Sequence, residues 1–169
     1  MTSLSRGFLG EQNTITSLTV DEGNPNDIAE NNCIINRSAS LLLAASNDSS
    51  IPDWITDLGQ YAFHSRQFTS KKLVIPSSVT VIRNYCIQNT NLEILELSAT
   101  PLRLENAAIS NNSSLKTLIC RCTKPHSNIE NNKNNSLESI YVPDDRVDVY
   151  KTSWSIYADI IKPLSDYTE

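Results

Sequence analysis

The sequence has few glycines, few charged residues and no long apolar run. Only 4 of its 169 residues are glycine, 20% are charged, and the formal net charge is −5. A chain with so little positive charge lacks the basic surface that nucleic acids require. No stretch approaches the roughly 20 apolar residues that span a bilayer. We therefore predict neither nucleic-acid binding nor membrane insertion.

The sequence also lacks the motifs of the common enzyme classes. It contains no nucleophile elbow, phosphate-binding loop, zinc-protease helix or dinucleotide fingerprint. The two histidines, His64 and His126, are far apart, and neither lies in a nucleophile or metal motif. Asp144 and Asp145 are adjacent carboxylates, but a helix N-terminus favours acids in any case. We predict no catalytic residue and no cofactor, and a hydrolase is the least favoured function.

The four cysteines, Cys33, Cys86, Cys120 and Cys122, do not amount to a disulfide scaffold at this length. Zinc sites usually combine C-x-x-C spacing with further ligands, whereas Cys120 and Cys122 are separated by one residue. We predict that the cysteines are small apolar residues of the core and bind no metal. Their redox state is left open.

Asparagine and serine are abundant, and an apolar pattern recurs every 22 to 24 residues. Equivalent strand positions are Ile51, Ile75, Leu97, Cys120 and Val142. Such a period is typical of stacked repeats, in which each period adds one strand beside the last. Side chains alternate along a strand, so two apolar residues per strand face inward. The pattern predicts neighbouring parallel strands that bury residues 73/75, 95/97, 118/120 and 140/142.

Two segments, SIPDWITDLGQYAF (50–63) and LVIPSSVTVIRNYCI (73–87), resemble the BspA-like leucine-rich repeat, whose pattern is roughly IP-x-x-V-T-x-I-G-x-x-A-F. Arg83 stands where the family has glycine, and no asparagine ladder is evident. The resemblance implies a leucine-rich repeat solenoid that is mainly β with short turns and a parallel strand stack. It also implies an inserted β-hairpin near the N-terminus and a short helical C-terminal cap.

We predict a single repeat domain over residues 1–169. Residues 1–13 are an irregular lead-in, and residues 14–142 carry the repeats, beginning with a strand at Ile15, Leu18 and Val20. A β-hairpin is inserted at 33–45. Residues 143–169 form the C-terminal cap.

The cap segment changes period. Val147, Tyr150, Trp154 and Tyr157 recur at helical spacing. We expect Asp144 or Asp145 to be the N-cap residue and Pro163 to end any further helix. A terminal repeat has no neighbour, so Trp154 should be buried against it.

The outward side chains of the strands are the candidate binding surface. Val74, Ile94, Ile119 and Tyr141 are expected to form a small apolar strip that binds a partner. A second column of alternating charge should neighbour it and contribute little to stability; its members are Lys71, Glu93, Lys116 and Glu138.

The resemblance implies a non-catalytic module for protein interaction or adhesion, at the bacterial cell surface or secreted. A structural subunit of a larger assembly, such as a surface layer or a virion, stays open as the alternative. The start, MTSLSRGFLG, has no apolar h-region, which predicts either a trimmed mature chain or a protein that is not exported. The partner is expected to be a protein or another macromolecule.

Overall fold

The computed structural model describes residue 9, residues 14–126, residue 129 and residues 134–168. Within these ranges the chain is mainly β, with short parallel strands and one α-helix. The strands are β1 (Asp27–Glu30), β2 (Cys33–Asn36), β3 (Leu41–Ala45), β4 (Asp57–Leu58), β5 (Lys72–Val74), β6 (Val81–Ile82), β7 (Ile87–Gln88), β8 (Ile94–Leu97), β9 (Arg103–Leu104), β10 (Ile109–Ser110), β11 (Thr117–Cys120), β12 (Ser139–Val142) and β13 (Ile161–Pro163). The α-helix is α1 (Val147–Ser153), and short 3-10 segments lie at Asp144–Arg146, Ser155–Ile160 and Leu164–Asp166.

Five strands form one parallel sheet in the order β5, β8, β11, β12, β13. Leu73 is opposite Leu95, Leu95 is opposite Leu118, and Leu118 is opposite Ile140. All four side chains are buried. A slip of one residue would turn this whole column toward solvent, so burial fixes the register. The predicted adjacency of these strands is confirmed.

A second sheet has the order β1, β2, β3, β4, β6, β9. Strands β1, β2 and β3 pair antiparallel, and the remaining pairs are parallel. The turn between β2 and β3 makes the hairpin predicted at 33–45, which is confirmed, and β1 adds a third strand to it. Leu58, Ile82 and Leu104 continue the sheet as one buried column.

The prediction of a first repeat strand at Ile15, Leu18 and Val20 is wrong, because residues 14–20 contain no strand. Two hydrogen bonds join this segment to the chain beyond β3. The Asn47 amide donates to the Ile15 carbonyl at 2.7 Å, and the Ser46 hydroxyl donates to the Thr16 carbonyl at 3.0 Å. Residues 46 and 47 lie outside any strand, so no ladder of paired strands continues from these bonds.

The core is continuous from the hairpin to the C-terminal segment. Strands β7 and β10 pair in parallel, with Ile87 opposite Ile109, and both side chains are buried. Buried side chains from the three sheets pack in one cluster that extends to Trp154 and Ile161. Each fully buried leucine or isoleucine contributes about 1.5–3 kcal/mol relative to exposure. Stability therefore accumulates repeat by repeat.

A ladder of buried polar side chains runs along the turns. Thr90, Asn112 and Asn134 succeed one another at intervals of 22 residues. Asn112 Oδ1 accepts bonds from the Thr90 amide (2.9 Å) and hydroxyl (2.8 Å), and Asn112 Nδ2 donates to the Ile87 carbonyl at 2.9 Å. Asn134 Oδ1 accepts from the Asn112 amide at 3.0 Å, and its Nδ2 donates to the Ile109 carbonyl at 2.8 Å. The expectation that no asparagine ladder exists is wrong, because these side chains satisfy buried turn backbone.

The C-terminal segment packs its aromatic residues against the last repeat. Trp154 is buried, as predicted, and its indole donates to the His126 carbonyl at 3.0 Å. The Tyr150 hydroxyl donates to the Cys122 carbonyl at 2.7 Å, and the Tyr150 and Trp154 rings meet edge to face at 4.8 Å. Both polar atoms are therefore paired inside the core.

The start and the end of this segment differ from expectation. Helix α1 follows a 3-10 turn, and its N-cap residue is Arg146, with no side-chain cap, so the assignment to Asp144 or Asp145 is wrong. Asp144 Oδ1 instead accepts from the Ser165 amide at 3.0 Å. Pro163 ends β13, which pairs with β12, so the cap contains a strand as well as a helix. No helix in the described ranges is long and apolar enough to cross a membrane.

Candidate functional site

The outward side chains of the five-stranded sheet form a surface that we call the outer face. Because the leucine column points inward, residues at alternate positions point outward. One row contains Lys72, Ile94, Thr117 and Ser139, and the next contains Val74, Glu96, Ile119, Tyr141 and Lys162. The four predicted binding residues thus lie on one face, with Ile94 in the first row and the others in the second.

Only part of the predicted apolar strip is accessible. Val74 is 48% exposed, and Ile94 and Tyr141 are half-buried, whereas Ile119 is completely buried. Ile119 lies between Glu96 and Tyr141 of the two adjoining strands. The expectation that Ile119 is available to a partner is wrong. Ile119 is therefore a packed residue of this face and not part of its accessible surface.

Two ion pairs on the outer face meet at Glu96. Arg121 Nε lies 2.6 Å from Glu96 Oε1, and Lys72 Nζ lies 3.6 Å from Glu96 Oε2. Arg121 follows the end of β11 directly, and its bond to Glu96 reaches across to the neighbouring strand β8. The Glu96 carboxylate is 13% exposed and is already paired.

Tyr141 lies in an aromatic and cationic cluster made with the C-terminal segment. Its ring centroid is 5.1 Å from that of Tyr167, with the planes at 60°. Lys162 Nζ is 5.8 Å from the Tyr141 centroid and donates to the Ser139 hydroxyl at 2.8 Å. Tyr141 is therefore a fixed, half-buried ring with a polar hydroxyl, which is the character of an interface anchor.

The four residues of the predicted charge column are neighbours, but their side chains form a single ion pair. The backbone amides of Glu93, Lys116 and Glu138 donate to the carbonyls of Lys71, Glu93 and Lys116 respectively, so the four residues are neighbours. Among these described residues one ion pair forms, with Lys116 Nζ 3.5 Å from Glu138 Oε1. Both side chains are more than half exposed, and such a pair contributes little.

The histidines do not form a site with each other. His126 is buried, and desolvation lowers its pKa below the ordinary value of 6.5. Its Nε2 has no hydrogen-bond partner among the described residues. His126 is therefore a buried residue of the core, and its backbone carbonyl accepts the Trp154 indole bond. His64 lies half-buried with its ring edge-on to Tyr61 at 5.5 Å.

The cysteine prediction is confirmed as far as packing is concerned, because all four are buried and free. Burial raises the pKa of the Cys33 thiol to about 12 and also raises the pKa of the Cys86 and Cys120 thiols. Protonated buried thiols are poor nucleophiles and poor ligands. No cluster able to hold a metal ion occurs in the part of the chain that the structure describes.

The structure also shows a column of aromatic side chains that is not among the predicted binding residues. Tyr61 and Tyr85 stack with centroids 5.4 Å apart and planes at 11°. Each has a left-handed backbone, with φ of 62° and 57°, and Ala107 repeats that conformation with φ of 53°. The signal in the sequence was the recurrence of Tyr61-Ala62 as Tyr85-Cys86, 24 residues later.

Known proteins share the repeat and the fold. A family model described as the BspA type leucine rich repeat region matches residues 43–156, in six copies. Among curated proteins, none matches the chain.

Two solved structures have a similar fold. A leucine-rich repeat protein from Eubacterium ventriosum ATCC 27560 has 18% identity and a TM-score of 0.64, with 75% of this chain and 36% of that chain covered. The pneumococcal vaccine antigen PcpA has 14% identity and a TM-score of 0.52, with 88% of this chain and 48% of that chain covered. The chain thus spans less than half the length of either protein, and the likeness concerns the fold alone.

Proposed function

Because the chain belongs to the BspA-type leucine-rich repeat family, we propose that it is a non-catalytic solenoid module that binds a protein partner at the bacterial surface or outside the cell. Leucine-rich repeat domains generally mediate protein interactions and are typically not enzymes. The longer relative named as a pneumococcal vaccine antigen supports the surface location.

The observation that carries the proposal is the Tyr141 cluster on the outer face. Tyr141 is held by Tyr167 and Lys162 and keeps part of its ring accessible. A rigid aromatic residue loses little conformational freedom on binding, so it gives more affinity than a mobile charge. Val74 and Ile94 extend the apolar surface. Ile119 is buried and does not add to it.

The charges nearby have a different role. Glu96 is already paired with Arg121 and Lys72, and Lys116 is paired with Glu138 in solvent. A partner would have to break these pairs in order to use them, so they tune the association rate and salt dependence. Affinity should therefore follow the tyrosine.

The test compares Tyr141→Ala with Lys116→Ala in binding to a protein recovered from host extract. We expect Tyr141→Ala to weaken binding at least tenfold, which corresponds to about 1.4 kcal/mol, and Lys116→Ala to change it little. Tyr141→Phe is the matched control, because it keeps the ring contacts with Tyr167 and Lys162. A melting curve for each variant separates lost binding from lost fold.

Normal binding by a folded Tyr141→Ala protein would contradict the proposed surface. The location is tested separately by the native reading frame upstream of Met1 and by protease accessibility on intact cells. An export signal and surface accessibility are expected. A chain found only inside a regular particle or layer would replace this proposal with the structural-subunit alternative.

A further inference from the structure

Tyr61 and Tyr85 begin a stack of rings that the next repeat does not continue. The Phe63 amide donates to the Cys86 carbonyl at 2.9 Å, and the Ile87 amide donates to the Ala108 carbonyl at 2.9 Å. The step from Tyr85 to Ala107 is therefore built like the step from Tyr61 to Tyr85. The Ala107 side chain ends at Cβ, and no other ring of the described residues stacks on Tyr85. The stack of Tyr61 and Tyr85 therefore has no third ring at Ala107.

Polar groups of both signs lie on the turn that carries Ala107. Glu105 Oε2 accepts from the amide of Asn84, the residue before Tyr85, at 3.2 Å, which fixes the carboxylate beside the backbone that carries Tyr85. Glu105 Oε1 lies 3.1 Å from Arg103 Nη1, and the Arg103 side chain is 63% exposed. Asn106, next to Ala107, is also exposed. This turn thus offers a carboxylate, a guanidinium and an amide.

The backbone conformation of the two tyrosines belongs to the turn of the repeat. Both lie in the left-handed region, which residues with bulky side chains rarely adopt. Ten non-glycine residues among those described have this conformation, Ala107 included, so the turn presents position 107 in the same way as the two tyrosines. In this turn the Tyr61 and Tyr85 rings are held nearly parallel and partly exposed.

We propose that the gap above Ala107 binds a neutral pyranose ring of a glycan. The negative face of the Tyr85 ring attracts the polarised C–H groups on the face of a sugar. The hydroxyls at the edge of the sugar both donate and accept, and so match Arg103, Asn106 and Glu105. Arg103 opposes a cationic ligand and Glu105 opposes an anionic one. A neutral polyhydroxyl ring satisfies all of these groups.

The test uses the full chain and a panel of neutral methyl hexopyranosides and their linear oligosaccharides, with saturation-transfer NMR as the readout. We expect transfer from the protein to the C–H protons of at least one sugar. Ala107→Tyr should weaken this binding more than tenfold, because the new ring completes the stack and fills the gap. Tyr is already accommodated at this φ in the two preceding repeats, so the variant should fold.

Two further variants complete the series. Tyr85→Phe should keep binding, and Tyr85→Ala should lose it. Tyr141→Ala on the outer face should bind sugar normally, which separates this site from the protein-binding proposal. The inference is overturned if no neutral sugar binds at millimolar concentration, or if folded Ala107→Tyr binds as the parent does. Preferential binding of a lysine-rich or arginine-rich peptide would also overturn it.

Discussion

Replacing Asn112 by alanine tests whether the buried ladder supports the repeats. Asn112 is 1% exposed and has three side-chain hydrogen bonds, two from Thr90 and one to the Ile87 carbonyl. Alanine leaves those three polar groups without a bond, and they belong to two buried residues, Thr90 and Ile87. An unsatisfied buried group costs about 1–3 kcal/mol, and the Thr90 hydroxyl can turn to another acceptor. We expect a loss of about 3–5 kcal/mol.

The bonds also predict an order among neighbouring variants. Asn134→Ala removes two bonds, from the Asn112 amide and to the Ile109 carbonyl, so it should cost no more than Asn112→Ala, which also breaks the bond of the Thr90 hydroxyl. Asn135→Ala is the matched control, because Asn135 is exposed. It should change the free energy of unfolding by no more than about 0.5 kcal/mol.

Urea unfolding monitored by circular dichroism measures all three variants. A loss of 3–5 kcal/mol would lower the melting temperature by roughly 6–20 °C in a domain of this size. The reasoning fails if Asn112→Ala comes within about 1 kcal/mol of Asn135→Ala, or if Asn134→Ala costs more than Asn112→Ala. An unchanged urea m-value would show that the native fold is kept.

Two further predictions concern the C-terminal segment. Ending the chain after Val142 removes Trp154 and β13, so β12 keeps its pairing with β11 but has one unpaired edge. We expect aggregation or a much lower melting temperature, and a soluble monomer of equal stability would refute the role of the cap. The lowered pKa of His126 means that the unfolded chain binds more protons below pH 6.5. Stability should therefore be complete above that pH and fall as the pH drops toward the folded pKa, by at most about 1.4 kcal/mol per pH unit. In urea titrations between pH 7 and 5, His126→Gln should lose this part of the slope, and an identical slope would contradict the buried neutral state.

The parallel sheet was predictable because its signal is long and redundant. Leu73, Leu95, Leu118 and Ile140 recur at a nearly fixed interval, and burial of that column permits one register. The burial of Trp154 followed from the need to cover the last repeat. Both predictions depend on apolar residues, whose placement the hydrophobic effect dictates directly.

Other features leave a weaker trace in the sequence. Strands β4, β6 and β9 have two residues each, too few to show alternation. The ladder residues Asn112 and Asn134 are hidden among many turn asparagines, and only burial distinguishes them. Ile119 has the sequence position of an outward residue, yet it is buried between the strands that carry Glu96 and Tyr141. In the sequence, Pro163 is equally compatible with the end of a helix and with the end of a strand.

The terminal strands of the five-stranded sheet affect how copies of the chain could polymerise. β13 is the terminal strand of its sheet, and it ends in Pro163, which has no N–H to offer to an added strand. The opposite terminal strand, β5, carries the exposed Val74 and ends immediately before Ile75 and Pro76. Joining one copy's β13 to another copy's β5 would bring two proline-flanked strands together. Growth of a filament by such head-to-tail extension of the five-stranded sheet is therefore disfavoured.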